Sequence, residues 1–308
     1  MLDIFASDLR PLRYWGMTVD EKIAQWRTGN PEGRSTGFKH LDVYLRLINS
    51  EFTLIAARPS MGKTALAMQI AENVARTMTT AGEEGTVAVF SAEMSGTELM
   101  IRMAAALSGM NAHKLRLGKG MPEEYDQFQD AARRLRNLPI WIDDGARPTT
   151  QLMLERLSAL NEDIPIKLMI FDFLELGGDG ERREDVRIST IAQNLKGIAK
   201  RLDIPVIGIS QLSREVESRA NKMPQLSDLR YSGMLEQIAD KVLFLVRPEY
   251  YLERQMGMSD VPIEDEKGVA YALLAKNRNG PVGMVKLAFL KDRAMFADLI
   301  RVRIDLNK

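Results

Sequence analysis

Apolar positions along most of this chain fall into two alternating arrangements. Continuous apolar, largely β-branched runs occur at 53–57 (TLIAA), 86–91 (TVAVFS), 166–173 (IKLMIFDF), 205–210 (PVIGIS) and 241–246 (KVLFLV). Between them, apolar residues recur three and four apart, which predicts helices over 63–79, 96–109, 122–137, 149–161 and 187–203. In the last of these, Ile188, Ile191, Leu195, Ile198 and Leu202 form one stripe, as in a helix packed on a sheet. Strands that are apolar on both sides and alternate with helices predict a parallel sheet covered on both faces. After 265 the helical pattern stops. GVAYALLAK, GMVKLAFL and a stretch near 295–304 then predict an antiparallel extension of the same sheet. The expected fold class is α/β, and no internal repeat or low-complexity segment interrupts it.

The first 35 residues follow a different pattern. Thr18 and Glu21 have the spacing of a capping box, and Ile23, Ala24 and Trp26 give the helix after them an apolar side. It ends in RTGNPEGRSTG, a linker by composition. A helix of about ten residues is marginal alone, so it must dock on its own body or on a neighbouring chain. The expected division is a segment and linker helix at 1–35 followed by one domain at 36–308.

Composition narrows the function. The chain of 308 residues holds 42 Lys or Arg and 42 Asp or Glu, so its formal net charge is zero. That excludes a histone-like polycation and leaves room for a locally basic site. Between 270 and 303 there are seven Lys or Arg and two Asp, a local charge of +5. The absence of cysteine excludes disulfides, thiolate metal centres and cysteine nucleophiles. Two histidines, His40 and His113, are too few for a His-rich metal site. No run nears the roughly 18 apolar residues of a membrane span, and the N-terminal residues carry acids and a proline, unlike a signal peptide. The expectation is a soluble intracellular protein with no membrane partner.

Chemistry concentrates at Ala57-Arg58-Pro59-Ser60-Met61-Gly62-Lys63-Thr64, between a predicted strand and a predicted helix. This is the context of a phosphate-binding loop, in which small residues let backbone N–H groups curl around a triphosphate at a helix start. Lys63 would reach the β- and γ-phosphates and Thr64 would bind Mg²⁺. Ala57 stands where the generic loop has its first glycine. A second metal-side carboxylate is expected at a strand end, and Asp172 closes the run KLMIFD. For the base that positions the attacking water, Glu93 and Glu175 compete. Glu93 is preferred because its strand should lie beside the loop strand, whereas Glu175 should have turned away. Gln211, at another strand end, is a candidate γ-phosphate sensor. Tyr250, Tyr251, Trp15 and Trp141 read as packing residues.

Five ordered stretches, ARPSMGKTALAMQIA, FSAEMS, SQLSREVESR, SDLRYSGMLEQIADKVLFL and AKNRNGPVGMVKLAF, resemble the C-terminal motor domain of the DnaB family of ring-shaped replicative DNA helicases over about 34–300. The resemblance implies a RecA-like P-loop core and a homohexamer. It further implies ATP with Mg²⁺ at each subunit interface, single-stranded DNA in the central channel and unwinding in the 5′–3′ direction. By motif, Ser60, Met61, Gly62, Lys63 and Thr64 correspond to the nucleotide loop, with Thr64 and Asp172 on magnesium. Glu93 corresponds to the catalytic glutamate and Gln211 to the sensor. Arg278 corresponds to an arginine finger, with Lys276 its companion, both acting on the neighbouring subunit's ATP. Arg230 and Gly233 correspond to DNA-phosphate contacts. Tyr231 stands where the family usually has an acid and could stack on a base or sugar. Glu175 replaces a usual glutamine.

The stretch GGDGERREDVR at 177–187 reads equally as a channel loop or as a plain surface loop. The family also implies a helicase loader and a primase as partners, and a bacterial cytoplasm, or a phage or plasmid in a bacterial host, as the setting. A helical domain that precedes the linker in the family has no counterpart here, which fits a short phage or plasmid helicase or a trimmed chain. The alternative is a RecA-like hexameric ATPase of recombinase or clock type, against which KNRNG argues. A structural ring or loading decoy is opposed by intact Lys63, Thr64, Asp172 and Glu93.

Overall fold

A computed structural model describes residues 11–180, 183–229, 232–254 and 267–299. The chain divides into two units, Met1–Arg34 and Ser35–Lys308.

In the first unit, α1 runs Leu12–Arg27. It begins six residues before the expected start: the cap is Pro11, and Thr18 lies within the helix rather than at its end. Proline's fixed φ suits a helix entry, and this outweighs the capping-box spacing. Lys22 pairs with Glu32 in the following segment at 2.6 Å. Leu12, Met17, Val19 and Trp26 are exposed.

Among the described residues the second unit is built on nine strands: β1 (Phe52–Ala57), β2 (Thr86–Ser91), β3 (Ile140–Asp143), β4 (Ile166–Asp172), β5 (Val206–Gln211), β6 (Lys241–Val246), β7 (Val269–Asn277), β8 (Gly283–Leu290) and β9 (Met295–Asp298). They form one sheet in the order β3-β2-β4-β5-β1-β6-β7-β8-β9. The first six in that order are parallel, and β7 to β9 continue antiparallel. The connecting helices are α2 (Lys63–Ala81), α3 (Gly96–Ser108), α4 (Ala112–Arg116), α5 (Pro122–Arg136), α6 (Thr150–Asp163), α7 (Glu184–Leu202), α8 (Ser232–Ile238) and α9 (Pro248–Glu253).

Two apolar layers hold the sheet. On one face Leu66, Ile70 and Val74 of α2 pack with Leu99 of α3 and Leu135 of α5. On the other, Met153 and Leu157 of α6 pack with Ile188, Ile191, Leu195 and Ile198 of α7 and Leu235 of α8. Every residue of β1, β2 and β6 is buried, as the unbroken apolar runs require. Trp141 departs from its expected packing role: it is 55% exposed on β3, a four-residue strand at the sheet edge with which, among the described residues, only β2 pairs. Tyr250 and Tyr251 are buried; the side chain of Trp15 lies outside the description.

Among the described residues, no helix is long and apolar enough to cross a membrane.

Candidate nucleotide site and the turn after β7

All six parallel strands end on the same rim of the sheet, so the loops that follow them converge there, the usual place for a ligand in an open α/β sheet. The loop between β1 and α2 is held from two sides. Arg58 donates through Nε to Glu217 Oε1 at 2.8 Å and through Nη1 to the Leu212 carbonyl at 2.9 Å. Arg247, just past β6, donates to the Ser60 carbonyl at 3.0 Å. Ser60 and Gly62 have positive φ, +65° and +98°. At Gly62 a side chain is also excluded by space, since a Cβ would lie 2.8 Å from the Phe296 ring. Met61 is buried beneath the loop. The missing first glycine is accommodated simply: Ala57 is the last buried residue of β1.

Lys63 opens α2, and its ammonium donates to the loop's own carbonyls, Ala57 O at 3.1 Å and Arg58 O at 3.3 Å. Burial pulls its pKa below the usual lysine range, while the negative charges of Glu175, Asp172 and Glu93 oppose that shift. Thr64 Oγ1 donates to Asp172 Oδ2 at 2.6 Å. Burial pushes the Asp172 carboxyl up to about 6, against the stabilising hydrogen bond from Thr64. A hydroxyl and a carboxylate are hard oxygen donors of the kind Mg²⁺ takes. Among the described residues no group of three or more His, Asp or Glu is arranged to hold a metal, so a cation here would complete its shell with phosphate oxygens and water.

Two expectations about the competing glutamates are corrected. The strand of Glu93, β2, is not beside the loop strand: β4 and β5 lie between them, and the neighbours of β1 are β5 and β6. Nor has Glu175 turned away. A short 3-10 turn at Leu174–Leu176 folds it back, and its Oε1 accepts from Ser210 Oγ and from the Gln211 N–H, each at 2.7 Å. Glu175 Oε2 is buried without a partner, and burial raises the pKa of this carboxyl above its ordinary value. Glu93 is exposed, and helix α3 is capped by Ser95, whose hydroxyl accepts from Glu98 N–H at 3.2 Å. Glu93 is therefore free of a capping role. Gln211 is aligned with Ala57 across the β1–β5 pair, at the root of the loop.

Lys276 and Arg278 lie elsewhere. β7 runs antiparallel to β6, with Lys276 opposite Val242 and Asn277 opposite Lys241. Lys241 is aligned with Thr53 at the beginning of β1. The turn after β7 is thus on the rim opposite Lys63, about 20 Å away along a six-residue strand at roughly 3.3 Å per residue.

Of the DNA candidates, Gly233 is the second residue of α8, with open space where a side chain would be; Arg230 and Tyr231 lie outside the described residues. In the 177–187 stretch, Gly178 N–H donates to Pro148 O at 3.0 Å and Asp179 accepts from Thr150 Oγ1 at 2.6 Å. The first part of that stretch is therefore pinned to the start of α6, and α7 begins at Glu184, three residues earlier than expected.

Residues that the motif pattern does not single out are Arg58, Arg247 and Glu217, which brace the loop. Arg58 and Glu217 lie inside the motif stretches with no role assigned to them there, and Arg247 is signalled only by its position just past the strand at 241–246.

Residues 33–298 match the family model for the DnaB-like helicase C-terminal domain. This chain belongs to that family. It is 39% identical over 279 residues to the replicative DNA helicase DnaB of Geobacillus stearothermophilus, covering 89% of this chain and 58% of the relative. It is 38% identical to the replicative DNA helicase DnaC of Bacillus subtilis, with the same coverage of each chain. The DnaB-like domain therefore spans a little over half the length of these curated relatives. Among solved structures it is similar to an ATPase domain, with a TM-score of 0.84, 33% identity and coverage of 95% of this chain and all of that one. It is also similar to a DnaB-like replicative helicase studied for its interactions with primase, with a TM-score of 0.81, 34% identity and coverage of 92% and 67%.

Proposed function

We propose that this chain is the motor of a ring-shaped replicative DNA helicase, coupling ATP hydrolysis at subunit interfaces to movement on single-stranded DNA and unwinding of the duplex. The observation that carries the reading is the separation of two sets of charged groups onto opposite rims of one sheet. Lys63, Thr64 and Asp172 stand at the carboxyl ends of the parallel strands; Lys276 and Arg278 stand at the other end. A site split in this way is complete only between two copies.

In that site the loop amides and Lys63 would hold the phosphates, and Thr64 and Asp172 would hold Mg²⁺, which when bound neutralises phosphate charge. Glu93, exposed and uncommitted, would take the proton of the attacking water, with Gln211 reporting on the γ-phosphate. Phosphoryl transfer passes through a loose transition state that gains from an added cation, and a cation supplied in trans ties hydrolysis to subunit movement. Arg278 would be that cation and Lys276 its companion. Strand contact would fall to Arg230, Tyr231 and Gly233. Helix α1, with its exposed apolar residues, would act as a linker that ties neighbours into a homohexamer. The interaction with primase described for one similar helicase supports a primase as partner here; a loader is the corresponding expectation for assembly.

The test is subunit mixing. Arg278→Ala rings bind ATP but hydrolyse it poorly, and Lys63→Ala subunits do not bind it. Mixed rings recover part of the DNA-stimulated rate at interfaces that join an intact loop to an intact finger. Complete absence of rescue removes the in-trans assignment. A ring that hydrolyses ATP without DNA stimulation and separates no strands favours the ATPase of recombinase or clock type.

A further inference from the structure

The turn that carries the proposed finger is fastened to the helix that begins at the proposed strand contact. Lys276 Nζ donates to the carbonyls of Glu236 at 2.5 Å and Ala239 at 2.8 Å. Arg278 Nη2 donates to the Gln237 carbonyl at 3.0 Å. These carbonyls belong to the last turn of α8 and its exit, where they lack intrahelical partners and sit at the negative end of the helix dipole. Two cations satisfy them.

Arg278 has a second anchor. Its backbone N–H donates to Asp240 O at 2.9 Å, and its Nη1 donates to Asp240 Oδ1 at 3.2 Å. Asp240 is 3% exposed, whereas the Arg278 side chain is half exposed. The other carboxylate oxygen of Asp240 accepts from Lys196 Nζ at 2.6 Å and from the Phe52 N–H at 2.8 Å.

This division of labour matters for release. The contact is long at 3.2 Å and its guanidinium side is half exposed, so water can take over the cation as it moves away. When Arg278 leaves, Asp240 keeps Lys196 and the Phe52 amide, so no buried charge is orphaned, the event that makes breaking a buried pair costly. At the other end of the helix, Gly233 is the second residue. A seven-residue helix is a rod of about 10 Å, too short to bend, so a shift of its first turn moves the carbonyls of its last.

We propose that α8 and Asp240 form a lever on the finger: Asp240 is a positioning residue that holds Arg278 back on its own subunit until single-stranded DNA at the start of α8 shifts the helix and frees the guanidinium for the neighbour's nucleotide. The inference rests on the reading of Arg278 as a finger and of Gly233 as a strand contact, and it adds the link between them.

The experiment measures steady-state ATP hydrolysis by the full chain with and without an oligothymidine strand. Asp240→Asn keeps acceptors for Phe52 and Lys196 and removes the charge that holds Arg278. It raises the DNA-free rate several-fold and lowers the ratio of stimulated to unstimulated rate by a similar factor. Lys196→Gln, which disturbs the same carboxylate without touching the finger, keeps the ratio of the parent. The lever is overturned if Asp240→Asn leaves the ratio unchanged, if both rates fall together, or if Lys196→Gln collapses the ratio equally. Should Asp240→Asn fail to assemble, Asp240→Glu, with a longer tether, is read by the same ratio and lowers it less. Arg278→Ala separates the two levels: undiminished hydrolysis in that variant removes the finger reading itself. An inactive Arg278→Ala beside an unaltered ratio in Asp240→Asn removes the lever alone.

Discussion

Lys63 sits under the influence of three carboxylates, and single atoms distinguish their roles. Asp172 accepts from Thr64, Glu175 accepts from Ser210 and Gln211, and Glu93 remains exposed. A base that must take a proton from water needs a free oxygen lone pair in reach of solvent, which Glu93 has. Glu93→Gln is therefore expected to bind ATP as the parent does and to lose turnover by about 10²-fold or more. Glu175→Gln should stay within a few-fold of the parent; the reverse outcome in single-turnover hydrolysis would transfer the base to Glu175. A second expectation concerns pH. Burial raises the folded-state pKa of Glu175 above its ordinary value, so the folded chain holds this proton more tightly than the unfolded chain. The stability that the proton confers is present at low pH and is lost as pH rises through the folded value. Replacing the carboxyl by an amide, in Glu175→Gln, removes that loss. The urea midpoint of this variant should exceed the parent's at pH 8 and approach it as pH falls toward the ordinary carboxylate range; a constant gap at all pH values would contradict the assignment.

At the scale of elements, β5 joins the loop strand to the Asp172 strand, since it pairs with both β1 and β4. Gly208 in its middle faces Phe52 and Leu174, and an added Cβ would meet them at 2.7 and 2.9 Å. Gly208→Ala should cost about 1–3 kcal/mol of stability by overpacking, measured by denaturant unfolding, and should weaken nucleotide binding through β5. This level also marks what can be read from the chain alone. The long apolar runs and the stripe on α7 announce the strands and helices because burial on both sides leaves no polar position to interrupt them. Strand order is not legible. Local pattern reports that a strand exists, while its neighbours are chosen by crossovers over the whole sheet, so the expectation that β2 lies beside β1 fails. β3 escapes the pattern altogether: Ile140-Trp141-Ile142-Asp143 is only four residues long and half exposed at the edge, with Pro139 and Gly145 as its faint punctuation. The motif Ala57–Thr64 is legible because backbone geometry and chemistry demand particular residues there. The fold-back of Glu175 is not, because a single 3-10 turn reverses a side chain's direction without a sequence period.

At the scale of the whole molecule, the proposed function gives the N-terminal unit the task of assembly. α1 is a 16-residue helix, and Leu12, Met17, Val19 and Trp26 remain exposed on it. Covering such residues on a neighbour would contribute on the order of a few kcal/mol per interface after ordering costs, repeated around the ring. Deletion of residues 1–30 should leave a folded monomer that binds ATP weakly and no longer hydrolyses it under DNA stimulation. Sedimentation reads the outcome, and stable hexamers of the truncated chain at micromolar concentration would reduce α1 to an appendage.

The opposite placement of Lys63 and Arg278 has a kinetic counterpart. If Arg278 serves a neighbour's nucleotide, as proposed, one chain holds two half-sites on opposite rims and its chemistry is bimolecular in protein even when ATP saturates. Turnover per chain should fall on dilution, with an apparent reaction order in protein above one, and level off only when every loop has met a turn. Added inert copies bearing only the turn, as in Lys63→Ala, should then act as activators of a dilute parent rather than as poisons.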